Sequence, residues 1–244
     1  MKISVITIAY NSAKTIEATI KSVLAQDSVE LEYIIIDGGS QDGTQSIIEK
    51  YQSRIAHYVS EPDRGIYDAM NKGLARATGE VIGILNSDDT FAYPGVLSDI
   101  AALIQDKDAV YADLEYVDAI TGKIKRKWKS GVYQSGSFLQ GWMPPHPTFF
   151  VRKTIYDQYG YFLTDHGTAA DYEIMLRFIH RYNIQLAYLP KVITRMKIGG
   201  ASNATWKHRL AANIADRKSW TINGLTPKWY TLWLKPLRKV SQWL

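Results

Sequence analysis

Residues 80–95 read "EVIGILNSDDTFAYPG". An apolar run from Val81 to Leu85 stops abruptly at Asn86, Ser87 and two adjacent carboxylates, Asp88 and Asp89. So short an apolar run, bounded by turn residues, reads as a strand buried on both faces, as central strands of a parallel sheet are. Its tip poses a problem, because like charges this close repel and each raises the other's pKa. A divalent cation would resolve it. Mg2+ and Mn2+ are hard ions that take carboxylate oxygens and use few protein ligands when phosphates complete the shell. The competing reading is a tight turn with a solvated Asp pair ahead of "FAYPG".

The flanking sequence alternates two periods. "KISVITIAY" (2–10), "LEYIIIDGG" (31–39) and "IAHYVSE" (55–61) are strand-like. Between and after them, "AKTIEATIKSVLAQ" (13–26), "TQSIIEKYQ" (44–52) and "IYDAMNKGLARAT" (66–78) have helical patterning. In the first of these, Ile16, Ile20, Val23 and Leu24 fall on one stripe. Strands alternating with helices of this length form crossover units around a mostly parallel sheet. In such sheets ligands bind beyond the carboxyl ends of the strands.

Each expected strand tip is polar. They end in Ala9-Tyr10-Asn11, in "DGGSQDGT" (37–44), in "SEPDRG" (60–65) and in "NSDD" (86–89). Turn chemistry explains one such tip, but four at one edge suggest a site. Asp37 stands where acids meet a ribose or base in nucleotide folds, with an Asx-turn or helix cap as the alternative. No GxGxxG follows the first strand and no GxxxxGK[ST] occurs, which disfavours a nicotinamide dehydrogenase or a P-loop enzyme.

Four segments carry a family resemblance: "ITIAYNSAKTIEATIKSVLAQ" (6–26), "IIIDGGSQDGT" (34–44), "SEPDRGIYDAMNKGLARATGEVIGILNSDD" (60–89) and "AADYEIMLR" (169–177). Together, over about residues 1–200, they resemble the inverting glycosyltransferases of family 2, and within them the bacterial O-antigen and exopolysaccharide subgroup. The resemblance implies a GT-A-like fold, a Rossmann-type mostly parallel central sheet flanked by helices with a smaller mixed acceptor-side region. It implies that Tyr10, Asn11 and Asp37 contact the nucleoside, and that Arg64, Asp68 and Lys72 line the uridine and diphosphate side. Ser87 and Asp88 match the end of the DXD motif, with Asp88 the main metal ligand and Asp89 beside it. The family commonly has Asp where this chain has Asn86, so a ribose contact there would lack charge. Asp171 matches the catalytic base, although an acid at a helix start is also a good N-cap. Inverting transfer needs such a carboxylate to take the acceptor's proton opposite the leaving group. Glu173 is the reserve.

The second half is less regular. "DAVYADLEYVDAITGKIKRKWKSG" (108–131) reads as a hairpin, with Asp113 just after its first strand. The prolines of "PPHP" (144–147) are expected to hold His146 in an extended loop, where it could meet the diphosphate or acceptor. "RMKIGGASNATWKHR" (195–209) reads as a mobile loop whose Arg195, Lys197 and Ser202 could close over the diphosphate.

The chain has 244 residues, 46% apolar and 22% charged, with no cysteine. That excludes a disulfide framework and thiolate metal sites. The apolar start is too short for a signal peptide, and no stretch of about 20 apolar residues could span a bilayer. The expectation is a soluble, cytoplasmic protein. The net charge of +5 is concentrated at the end, where residues 191–244 hold eleven Lys or Arg and one acid, Asp216. The last twenty, "LTPKWYTLWLKPLRKVSQWL", interleave Trp229, Trp233 and Trp243 with Lys228, Lys235, Arg238 and Lys239, and Pro236 is expected to break them into two short helical pieces. Aromatic rings with cations suit an anionic membrane surface on the inner face of the cell membrane, and a helix packed on the domain is the alternative.

These readings divide the chain into a GT-A domain (1–205) and a basic aromatic tail (206–244). The domain would have a nucleotide-sugar half (1–112) and an acceptor half (113–205). The expected partners are a nucleotide diphosphate sugar, a UDP-hexose first, and a glycan or lipid-linked glycan, but no nucleic acid. The cofactor would be Mn2+ or Mg2+. Two alternatives are a nucleotidyltransferase that makes such donors and a non-enzymatic nucleotide-binding module docked to a membrane.

Overall fold

The structure is a computed structural model and describes residues 1–198, 206–238 and 242. Strands β1 (Lys2–Ala9), β2 (Glu30–Asp37), β3 (His57–Ser60) and β4 (Val81–Asn86) lie parallel in the order β3-β2-β1-β4. The connections carry helices α1 (Ile16–Leu24), α2 (Thr44–Glu49) and α3 (Ile66–Leu74). The stripe Ile16, Ile20, Val23 and Leu24 is buried as its spacing requires. Register then sets Ala9 beside Asp37, Asp37 beside Ser60, and Ile8 beside Asn86. All four strand tips therefore leave the sheet at one edge.

The chain continues through β5 (Asp89–Phe91), α4 (Val96–Leu103), β6 (Ala109–Asp118), β7 (Ile124–Trp128), β8 (Phe150–Arg152), α5 (Lys153–Tyr159), α6 (Ala170–Met175), β9 (Leu186–Ile198), α7 (Trp206–Ile222) and α8 (Thr231–Arg238). The sheet extends as β4-β8-β6-β9-β5, with β7 paired to β6. β8 runs antiparallel to both β4 and β6, whereas β6 and β9 are parallel. Gly83 makes the β4–β8 contact possible, because a Cβ there would strike the Phe150 ring. Apolar cores cover both faces, one with Met70, Phe138, Phe178 and Trp220, the other with Ile20, Val96 and Ile100.

Several expectations for the second half change. Asp113 lies inside β6, buried, and accepts bonds from the Ser130 amide and the Tyr188 hydroxyl, each at 2.8 Å. The "PPHP" segment is not extended throughout, since His146–Thr148 forms a 3-10 turn. Pro147 fits there because its φ is already helical and first-turn amides need no partner. β9 runs on to Ile198, so Arg195 and Lys197 are strand residues rather than loop residues. Their backbones pair with β6, opposite Glu115 and Val117. Gly199, Gly200 and Ser202 lie outside the described residues. α8 runs from Thr231 to Arg238 through position 236, where a break is expected from the sequence. After α6, residues Leu176–Arg181 continue as a π-helical segment.

Candidate active site

At the β1 tip Tyr10 projects into solvent, 66% exposed, while Ala9 is buried. Asn11 adopts φ 48°, a left-handed conformation that Asn tolerates better than most residues. Its amide donates to Ser40 Oγ (2.8 Å), and its Oδ1 accepts from the Gln41 amide (3.0 Å). Loop 38–44 is thus tied to β1. Asp37 organises that loop from below. It is fully buried, and its oxygens accept from the Ser40 amide (3.0 Å), the Ser40 hydroxyl and the Ser60 hydroxyl (2.6 Å). As folded, Asp37 presents Ser40 and Asn11 instead of its own carboxylate.

The β3 tip and α3 form an ion-pair network. Asp68, an acid in the first turn of α3, accepts from the Arg64 amide (3.1 Å) and guanidinium (3.3 Å). Lys72 pairs with Glu61 (2.9 Å) and reaches Asp68 at 3.7 Å. The Arg64 side chain is 83% exposed and can reach a ligand. Lys72 is already committed.

At the β4 tip the Ser87 hydroxyl meets that of Ser12 at 2.7 Å, and Thr19 donates to the Ser87 carbonyl at 3.0 Å. Asp88 is half-buried and Asp89 fully buried. Burial first, then the Asp88 charge, pushes the Asp89 carboxyl well above its ordinary range, against a bond from Asn86. That bond, from Asn86 Nδ2 to Asp89 Oδ2, is 3.2 Å. Asp89 Oδ1 and Asn86 Oδ1 are buried without a hydrogen-bond partner. Orphaned hard oxygens beside Asp88 are a donor set that a Mg2+ or Mn2+ ion fits. No group of three or more His, Asp or Glu that could hold a metal occurs among the described residues. The protein would therefore supply a carboxylate pair, leaving other positions to substrate and water.

Asp171 is in the first turn of α6, whose cap position is Ala169, so it is not an N-cap. It lines a pocket of about 170 Å³ together with Asn86, Tyr67, Tyr116, His146 and Met196. The β4 tip and the α6 acid therefore face one space. The Tyr67 hydroxyl donates to Asp171 at 3.4 Å and to the Thr168 carbonyl at 3.1 Å. Burial, aided by the Asp171 charge, raises the Tyr67 phenol well above its usual value and keeps it a neutral donor. Burial lowers the His146 pKa, partly opposed by Asp171, and its ring meets Phe162 edge-on at 5.6 Å. Arg195 turns toward Glu115 (3.7 Å), while the Lys197 charge acts on Asp89. Tyr67, Tyr116 and Met196 were not singled out from sequence. Tyr67 had a usable signal, one residue before Asp68 on the same helix. The other two sit on long strands whose register the sequence leaves open.

The sheet order and the polar carboxyl edge of β1–β4 define a GT-A-like α/β fold. The chain aligns with Staphylococcus aureus TarS 1-349 in complex with UDP at TM-score 0.66 and 24% identity, over 91% of this chain and 70% of that one. It aligns with the Pyrobaculum calidifontis mannosyltransferase PcManGT, in complex with GDP-Man and Mn2+, at TM-score 0.68 and 18% identity, covering 96% and 72%. Residues 4–170 match the glycosyl transferase family 2 profile, and the chain belongs to that family. An uncharacterized glycosyltransferase of Mycobacterium tuberculosis is 34% identical over 184 residues, 72% of this chain and 68% of that one. A PGL/p-HBAD biosynthesis glycosyltransferase of Mycobacterium bovis is 26% identical over 82% of this chain and 78% of its own.

Proposed function

We propose that the chain is an inverting, metal-dependent transferase that moves a sugar from a nucleotide diphosphate donor to a glycan acceptor. A UDP-hexose is the first choice of donor. The acceptor is lipid-linked, and the product belongs to bacterial surface polysaccharide of the O-antigen or exopolysaccharide kind. The observation that carries this reading is the single pocket shared by Asn86, at the β4 tip, and Asp171. Donor-side and acceptor-side groups then face one reacting centre.

In this reading residues 1–112 hold the donor and 113–205 the acceptor. Tyr10, Asn11 and Arg64 meet the nucleotide, and Asp37, Asp68 and Lys72 hold the loops that present them. Asp88, with Asp89, holds the cation, which when bound neutralises charge on the diphosphate. Asn86 meets the ribose, and His146, Arg195 and Lys197 border the reacting groups. The acceptor oxygen attacks the anomeric carbon as that carbon's bond to the diphosphate oxygen breaks. The bonding pair leaves with the nucleoside diphosphate, and the hydroxyl proton passes to Asp171.

A second reading concerns location. Trp229, Trp233 and Leu237 are spaced by four and exposed, Trp229 by 86%. They would rest in the headgroup region of the inner leaflet and place the enzyme at a lipid-linked acceptor. No described helix is long and apolar enough to cross a membrane.

Incubation with a panel of nucleotide sugars, with Mn2+, Mg2+ or excess EDTA, tests the chemistry. Release of nucleoside diphosphate from one donor, only with metal, is expected. Asp88→Ala should abolish metal-dependent donor binding. Full activity in EDTA would refute the metal requirement.

A further inference from the structure

Behind the Asp171 pocket lies a larger cavity, about 500 Å³. Trp128 and Met143 line both spaces, so the two adjoin. The wall of the larger one includes Lys127, Lys129, Lys235 and Arg238, and no carboxylate among the described residues. These cations come from two parts of the chain, the β7 end of the hairpin and α8. Local acids only partly offset them. Lys235 pairs with Asp216 at 2.6 Å and lies 3.8 Å above the Tyr172 ring. Lys127 is 3.7 Å from Glu115, an acid that Arg195 approaches equally closely. Lys129 is exposed and has no hydrogen bond or ion pair among the described residues. Lys129 therefore gives the cavity positive charge that no described acid offsets. Its aromatic wall is held in place, since Trp142 Nε1 donates to the Ser130 carbonyl at 2.8 Å.

The donor's diphosphate has its own place beside Asp88. A second cationic chamber on the Asp171 side thus calls for an anion on the other substrate. Lysines from separate elements around one space suit a multiply charged phosphate better than a single carboxylate. We propose that this cavity is an acceptor-side phosphate site, so that the acceptor carries a phosphomonoester or diphosphate near the hydroxyl that receives the sugar. The inference rests on the reading of Asp171 as the acceptor-side base. The phosphate can come from a lipid headgroup or from a soluble phosphorylated glycan.

Titration of the whole protein with inorganic phosphate in EDTA, read by tryptophan fluorescence, tests the site. Saturable binding is expected, weakened roughly tenfold or more in Lys127→Gln/Lys129→Gln, the scale of one or two charge-assisted bonds. Arg238→Gln should weaken it independently, with melting curves verifying that both variants fold. Asp88→Ala should still bind phosphate. No saturable binding, binding unchanged in both variants, or binding lost only with Asp88 would overturn the site. Phosphatidylglycerol vesicles that displace phosphate, where phosphatidylcholine vesicles do not, would support the site with a lipid-borne source. Phosphate binding without displacement would support it with a soluble one. Donor turnover that fails while phosphate binding holds would sink the transferase reading and the acceptor role with it. Transfer that persists without phosphate binding would sink this site alone.

Discussion

Asp171 and Glu173 stand two positions apart on α6 and have opposite surroundings. Glu173 is 1% exposed, pairs with Arg177 at 2.9 Å and accepts from Asn223 at 2.9 Å. Its oxygens are consumed in holding α6 to α7, which removes it as a reserve base. Asp171 keeps its face toward the pocket. On the proposed chemistry, Asp171→Asn should leave donor affinity unchanged and lower turnover roughly 100-fold or more. Glu173→Gln should instead lower the melting temperature, because breaking a buried ion pair costs about 3–5 kcal/mol. Tyr67→Phe removes one neutral bond to Asp171, worth about 1 kcal/mol or roughly fivefold in turnover. Undiminished turnover in Asp171→Asn, measured beside donor binding, would remove the base from the mechanism.

At the scale of elements, the parallel half was legible because every helix and strand there carries its own period. The stripe of α1 and the apolar runs of β2 and β4 each state which faces are buried. The four polar tips were legible for the same reason, since each follows directly from a strand. What tertiary pairing decides was not legible. Arg195 and Lys197 look like loop residues until β5 and β6 flank β9 and draw it on to Ile198. Asp37 looks available until Ser60 arrives from β3. Glu32 is a further case, a buried acid that joins three segments. It accepts from Ser4 Oγ (2.6 Å) and the Thr78 amide (2.7 Å), and pairs with Lys2 (2.8 Å). Burial pushes its carboxyl up, but these partners outweigh burial and hold it at about 2 against an ordinary 4.5. A depressed folded pKa contributes stability that is complete above the unfolded value and is lost as pH falls toward the folded one. Glu32→Gln should therefore melt earlier at neutral pH, at a cost of about 2–3 kcal/mol. Its deficit should shrink as pH drops from 4.5 toward 2. A constant deficit across that window would assign the loss to packing rather than charge.

For the whole molecule, the open question is what α8 does, because it both packs and protrudes. Its inner side is anchored. The Thr231 hydroxyl donates to the Leu139 carbonyl at 2.7 Å, Leu232 is buried, and Lys235 reaches Asp216 on α7. Its outer side shows Trp233 and Leu237 to solvent. The packed and the exposed residues thus fall on different faces of one helix, so the two roles posed as alternatives by the sequence can be tested separately. Gly141 sits at φ 75°, and a Cβ there would strike the backbone of Leu234 and Lys235. Gly141→Ala should therefore loosen α8, at about 1–2 kcal/mol for the left-handed backbone plus the collision. Its melting temperature should fall toward that of a chain ended after Leu225. Trp229→Ser with Trp233→Ser changes only exposed rings, so melting should stay within about 0.5 kcal/mol of the parent. That pair should nevertheless release the protein from anionic vesicles in flotation, since interfacial aromatic residues supply the apolar part of the attachment. Binding of the parent should weaken at high salt, which screens the exposed Lys228 from lipid. Flotation unchanged in the double variant, or absent in the parent, would leave α8 as a packing element and nothing more.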